Sequence, residues 1–179
     1  MFAIALRYGA ISGAIVVSVI IAGIFLASAG HHGHGLTSQL FGYLVMIIAL
    51  SMIFLAVRDH RNKNLGGVIK FLPAFGLGLL VSLIAGIAYA LGWEIYLAAT
   101  HYTFMDNYVT QMIEAKRAAG MTGEAFDAYV AQLEQMKEMY RNPLFRLPMT
   151  FIEIFPVGFL IALISAAILR NPKVMPARA

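Results

Sequence analysis

The stretch Pro73-Ala-Phe-Gly-Leu-Gly-Leu-Leu-Val-Ser-Leu-Ile-Ala-Gly-Ile-Ala-Tyr-Ala-Leu-Gly-Trp-Glu-Ile-Tyr-Leu-Ala98 contains no Lys, Arg or Asp and a single carboxylate, Glu94. A helix rises about 1.5 Å per residue, so roughly 20 such residues cross the hydrocarbon of a bilayer. Pro73 suits the first helical turn, where its missing N–H would have no partner in any case. Three further stretches have the same character: residues 8–29 and 40–57, both uncharged, and residues 147–169, which contain Glu153. The predicted fold is all-α: a polytopic membrane four-helix bundle forming one domain over residues 1–179. The composition agrees, with 60% hydrophobic and 12% charged residues against about 25% charged in soluble domains. There is no cysteine, which excludes a disulfide framework and thiolate chemistry.

Lys and Arg set the orientation of such a bundle. Arg7 precedes the first stretch, Arg58, Arg61, Lys63 and Lys70 separate the second from the third, and Arg170, Lys173 and Arg178 follow the fourth. The turn over residues 30–39 has neither Lys nor Arg. The expectation is that both termini face the cytoplasm. The rival reading is a cleaved signal peptide, because Ala27-Ser28-Ala29 resembles a processing site. The preceding apolar run is longer than the 7–15 residues of a signal core, so the expectation is an intact first span.

Residues 103–141 read as an external helical hairpin between spans three and four. Phe104, Tyr108, Met112, Ala115 and Ala119 recur at helical spacing, as do Phe126, Tyr129, Val130, Leu133, Met136 and Tyr140. Gly120-Met-Thr-Gly123 interrupts the run, and Thr122 is the expected N-cap of the second helix. The formal charge of +4 is distributed as topology signals and mixed surface charge, forming no basic face of the kind that binds nucleic acid.

Helices in lipid associate through small residues and shared hydrogen bonds. Gly9 and Gly13 form one candidate seam; Gly78, Ser82, Gly86 and Ala90 form a second; Gly158 and Ala162 form a third. Pro156 removes a helical N–H and is the expected site of a kink. An ionisable residue inside the membrane is a functional-site candidate by default. Both Glu94 and Glu153 lie about 10 Å inward of polar markers, His101 and Arg146 respectively, and so at similar depth. They are the candidate ion or proton site. Arg146 or a tyrosine such as Tyr96 offers the simpler alternative of satisfying one of them.

His31, His32, His34 and His101 are the candidate metal ligands, because imidazole suits zinc and copper; their spacing is no recognised ligand motif. No nucleotide loop, nucleophile elbow or zinc-protease motif occurs, so neither a catalytic residue nor a cofactor is expected. Ser12, Ser18, Ser51, Ser82 and Ser165 are expected to bond to their own helices.

Arg7-Tyr-Gly-Ala-Ile-Ser-Gly13, the stretch from Gly42 to Phe54, and Glu153-Ile-Phe-Pro-Val-Gly158 leading to Arg170 resemble the bacterial family called domain of unknown function 4199. The resemblance implies a small four-span membrane protein and supplies no catalytic or binding residue. The leading functional expectation is a non-enzymatic accessory or assembly protein whose partners are the bilayer and either a second copy or another membrane protein. The alternatives are a proton- or cation-linked transporter using Glu94 and Glu153, and an external metal-binding protein.

Overall fold

The computed structural model describes residues 1–28 and 36–176. Among these, the elements are α1 (Phe2–Ser28), α2 (Leu36–Leu50), α3 (Met52–Asn64), α4 (Phe71–Ala99), α5 (Thr103–Ala118), α6 (Glu124–Arg141) and α7 (Pro143–Leu169), with no strand. Four helical segments are long and apolar enough to cross a membrane: Phe2–Gly23, Gly42–Asn64, Phe71–Ala99 and Pro143–Leu169. The protein is a multi-pass membrane helical protein.

The helices outrun the apolar stretches. The first begins at Phe2, taking Arg7 into its opening turns, and the second runs to Asn64 through Arg58 and Arg61. Ser51 interrupts the assignment between α2 and α3 but keeps helical angles (φ −59°, ψ −18°), and its N–H still bonds to the Ile47 carbonyl at 2.9 Å. The fourth begins at Pro143 because Asn142 caps it: the Asn142 Oδ1 accepts the Leu144 N–H at 3.0 Å, and proline occupies the first helical position. Hydropathy finds the lipid-facing part of a helix, whereas caps and backbone hydrogen bonds decide where it ends.

The chain divides into two compact units, residues 1–92 with 151–179 and residues 93–150, where the sequence reads as one membrane domain. The first unit has a core that includes Ala5, Val16, Leu50, Ile53, Leu77, Val81, Ala85, Ile154, Ala162 and Leu169. Its helices meet at small residues. A Cβ on Gly9 would stand 2.7 Å from the Ile84 Cβ, one on Gly13 2.5 Å from the Ala88 Cβ, and one on Gly92 2.6 Å from a Val17 methyl. The pairs 9/84, 13/88 and 17/92 advance together, so α1 and α4 run parallel. Gly78 meets Ala162, Gly158 meets Ser82, and Gly86 meets Phe151 and Ile154. These pairs run in opposite senses, so α4 and α7 are antiparallel.

A four-residue row drifts about 40° per step around a helix axis, yet Gly78, Ser82 and Gly86 all meet α7. The seam follows the inclined ridge of i±4 positions on both helices. Ala90, next in the row, is also buried. Ser12 departs from the expectation of bonding within its own helix: its hydroxyl donates to the Ala49 carbonyl on α2 at 2.8 Å.

The second unit contains the hairpin. Met105 and Val109 of α5 pack on Leu133 of α6, flanked by Met112, Ile113, Tyr129, Met136 and Tyr140. The buried stripe of α5 is thus shifted by one position from that read in the sequence, because Phe104 and Tyr108 instead stack on each other at 6.1 Å. The N-cap of α6 is Gly123 rather than Thr122, at φ 69°, ψ −158°, a conformation open essentially only to glycine.

Candidate functional site

Glu94 and Arg146 form the most connected polar group in the unit of residues 93–150. Arg146 is 2% exposed. Its Nε–H donates to Glu94 Oε2 at 2.9 Å and its Nη2–H to Glu94 Oε1 at 2.5 Å, the two-pronged fit of guanidinium to carboxylate. Its Nη1–H groups donate to the carbonyls of Tyr140 at 2.8 Å and Arg141 at 3.3 Å, carbonyls that the end of α6 would otherwise leave unpaired. One side chain therefore ties α4 to the end of α6 from the first turn of α7. The Tyr102 hydroxyl donates a third bond to Glu94, at 3.0 Å, and the guanidinium lies over the rings of Tyr102 and Tyr140, 5.1 and 5.7 Å from their centroids.

The corner from α4 to α5 carries strain. His101 and Tyr102 both adopt left-handed angles, φ 53° and 57°, costly for residues with a Cβ. The turn closes on a 2.7 Å bond from the Tyr102 N–H to the Leu97 carbonyl, and Tyr102 is held from its other end by Glu94. Trp93 extends the group: its indole N–H donates to the Tyr140 hydroxyl at 2.7 Å, its ring stacks on Tyr96 and packs T-shaped with Phe104. A cleft of about 410 Å³ opens here, lined among others by His101, Asp106, Lys137, Arg141 and Arg146.

Glu94 thus accepts three hydrogen bonds from two side chains. Such a carboxylate is a structural counter-ion, with its oxygens occupied. The Glu94 carboxylate beside Tyr102 holds that phenol above its ordinary value near 10. A raised value means that the contact stabilises fully below the ordinary phenol range and is lost as pH rises through the folded value. Ultraviolet phenolate titration of the wild type against Tyr102→Phe is therefore expected to resolve one tyrosine ionising above the ordinary range. A difference spectrum with its midpoint at or below 10 would contradict the contact.

Glu153 belongs to the other unit. It is exposed on α7 and accepts one hydrogen bond, from the hydroxyl of buried Tyr89 at 3.1 Å. Pro156 follows within an unbroken helix and leaves the Ile152 carbonyl without its usual N–H. The two glutamates, read in the sequence as one site, have separate partners in separate units.

His31, His32 and His34 lie outside the described residues. Among the described residues no three potential metal ligands converge; His101 lines the cleft.

Sequence reading missed the roles of Trp93 and Tyr89. The signal for Trp93 was present, since Trp and Tyr concentrate where spans meet the membrane surface. Nothing local marks Tyr89, whose role depends on which helix face meets α7.

The pattern of one protein family, described as Protein of unknown function (DUF4199), matches residues 7–171. The chain belongs to the DUF4199 family. The matched region of this DUF4199 protein includes Glu94, Arg146, Tyr89 and Glu153. No curated protein and no solved structure matches the chain.

Proposed function

We propose that this chain is a non-enzymatic accessory or assembly protein of the bacterial inner membrane, with both termini cytoplasmic, which acts by packing against itself or another membrane protein. The observation that carries the reading is the engagement of Glu94 by Arg146 and Tyr102, which leaves one of the two candidate ion ligands serving the hairpin's architecture. Further support comes from the unit of residues 93–150, which presents Tyr102, Tyr108, Met139 and Leu144 at its surface. Tyrosine and methionine are enriched in protein contacts. Photo-crosslinking side chains placed at Tyr108 or Leu144 in intact membranes are expected to yield a discrete homodimer or a single hetero-adduct. A clean monomer at both positions overturns the proposal.

A second reading, proton- or cation-linked transport, is favoured by Glu153 alone, which is exposed on a spanning helix with a single hydroxyl donor. Glu153→Gln separates the two. Transport requires the loss of ion-driven flux in a folded protein, whereas the accessory role expects unchanged crosslinking and stability within about 1 kcal/mol, the usual scale of one membrane hydrogen bond.

A further inference from the structure

Arg61 is fully buried, yet among the described residues no carboxylate meets it. Its Nε–H donates to Asn62 Oδ1 at 2.8 Å, its Nη1–H groups donate to the Leu169 and Val174 carbonyls at 3.3 and 2.9 Å, and Nη2–H donates to the Met175 carbonyl. Arg61 therefore holds the end of α7 and the residues after it, through neutral partners alone. One turn earlier on α3 stands Arg58, near enough to repel Arg61. The Arg58 Nε is buried and has no hydrogen-bond partner among the described residues. Asp59, the one acidic residue of α3, is taken by Lys63 at 2.7 Å. The only other acidic residue in segments 1–92 and 151–179 is Glu153, which is bonded to Tyr89.

Buried charges are ordinarily paired, and a buried donor left unpaired is costly. Here two neighbouring guanidinium groups share one helix end, and neither is paired with a carboxylate among the described residues of this unit. Arg58 lies six residues before the end of the Gly42–Asn64 span, about 9 Å along the helix, a depth from which a long cationic side chain reaches the headgroup layer. Leu55, one turn before it, is exposed, as are Leu65 and Val68 just after α3, and such side chains offer apolar surface to acyl chains. The geometry points to a binding site for the phosphate of an anionic phospholipid: half-buried Arg58, whose Nε–H is unpartnered among the described residues, makes the contact with its guanidinium, and Arg61 supplies a second fixed charge behind it. Guanidinium matches phosphate with two parallel hydrogen bonds, and basic pockets between spanning helices suit such headgroups.

The test uses the full chain in nanodiscs of phosphatidylcholine, with or without phosphatidylglycerol. The thermal midpoint is expected to rise by about 5–10 °C with phosphatidylglycerol, the shift expected from a site near saturation in a chain of this size. Arg58→Gln is expected to lose most of that rise, and Lys63→Gln and Lys173→Gln to keep it. Equal losses in all three variants would mean diffuse surface attraction and overturn the site. The same rise on adding soluble glycerol phosphate to phosphatidylcholine discs would overturn the lipid assignment in favour of a free phosphate ester. Native mass spectrometry of the wild type, offered both lipids equally, tests the site without any variant. Preferential retention of phosphatidylglycerol is expected, and no preference refutes the proposal.

Discussion

Arg146→Met is expected to destabilise the unit of residues 93–150 by roughly 3 kcal/mol, at the lower end of the range for breaking a buried ion pair. The lower end applies because the Glu94 side chain remains 26% exposed, against 3% for Arg146, so water recovers part of the orphaned charge. The loss has three sources: Glu94 without its counter-ion, the Tyr140 and Arg141 carbonyls without their donor, and the Tyr102 and Tyr140 rings without the guanidinium over them. Methionine retains most of the side-chain volume, which keeps a cavity from dominating. Limited proteolysis within residues 119–123 and thermal unfolding in detergent would both register the change. The double variant Glu94→Gln with Arg146→Met is expected to be more stable than Arg146→Met alone by at least about 1 kcal/mol, because no bare carboxylate remains. If the double variant falls as far as the sum of the singles, Glu94 and Arg146 do not act as a pair.

The second large effect lies in the other unit. Gly78→Leu is expected to cost about 3 kcal/mol or more and to lower the yield of folded protein, while Gly76→Ala, two residues away, is expected to be neutral or to stabilise by up to about 1 kcal/mol. A Cβ on Gly78 would stand 2.8 Å from the Ala162 Cβ and 3.1 Å from its Cα, with an Ile53 methyl at 3.2 Å. The two Ala162 atoms are fixed to the α7 backbone and cannot rotate away, so α4 and α7 would have to separate. A Cβ on Gly76 meets nothing within 4 Å. Helix association in lipid depends on close packing, since apolar burial itself gains little there. Melting curves of the two variants in one detergent make the comparison. Equal stability would show that the ridge of Gly78, Ser82 and Gly86 is not the seam between these helices.

The four apolar stretches, the hairpin and its break at residues 120–123 were legible because each depends on local chemistry: hydropathy over a bilayer's thickness, apolar residues at helical spacing, glycine at a turn. The Gly-xxx-Gly spacings were legible too, since a four-residue row of small side chains is a property of one helix. Which helix each row would meet was not. Gly92 against Val17 was overlooked because valine is not small, and the fit depends on where α1 lies. The same limit applies to the charges. An arginine in a basic turn reads as a topology signal, and only the structure places Arg61 among the carbonyls at the end of α7 and leaves the Arg58 Nε–H unpartnered among the described residues. Glu94 and Glu153 stand out in the sequence because carboxylates are rare in apolar runs. Their roles diverge because Arg146 and Tyr102 are brought to one and Tyr89 to the other. The sequence by itself determined that the chain is a membrane-spanning helical protein with an amphipathic hairpin, since hydropathy and periodicity act along the chain. The tertiary structure alone decided that one glutamate is a structural counter-ion and the other an exposed polar group on a spanning helix, since a carboxylate's role depends on its partners, here Arg146, 52 residues from Glu94, and Tyr89, 64 residues from Glu153.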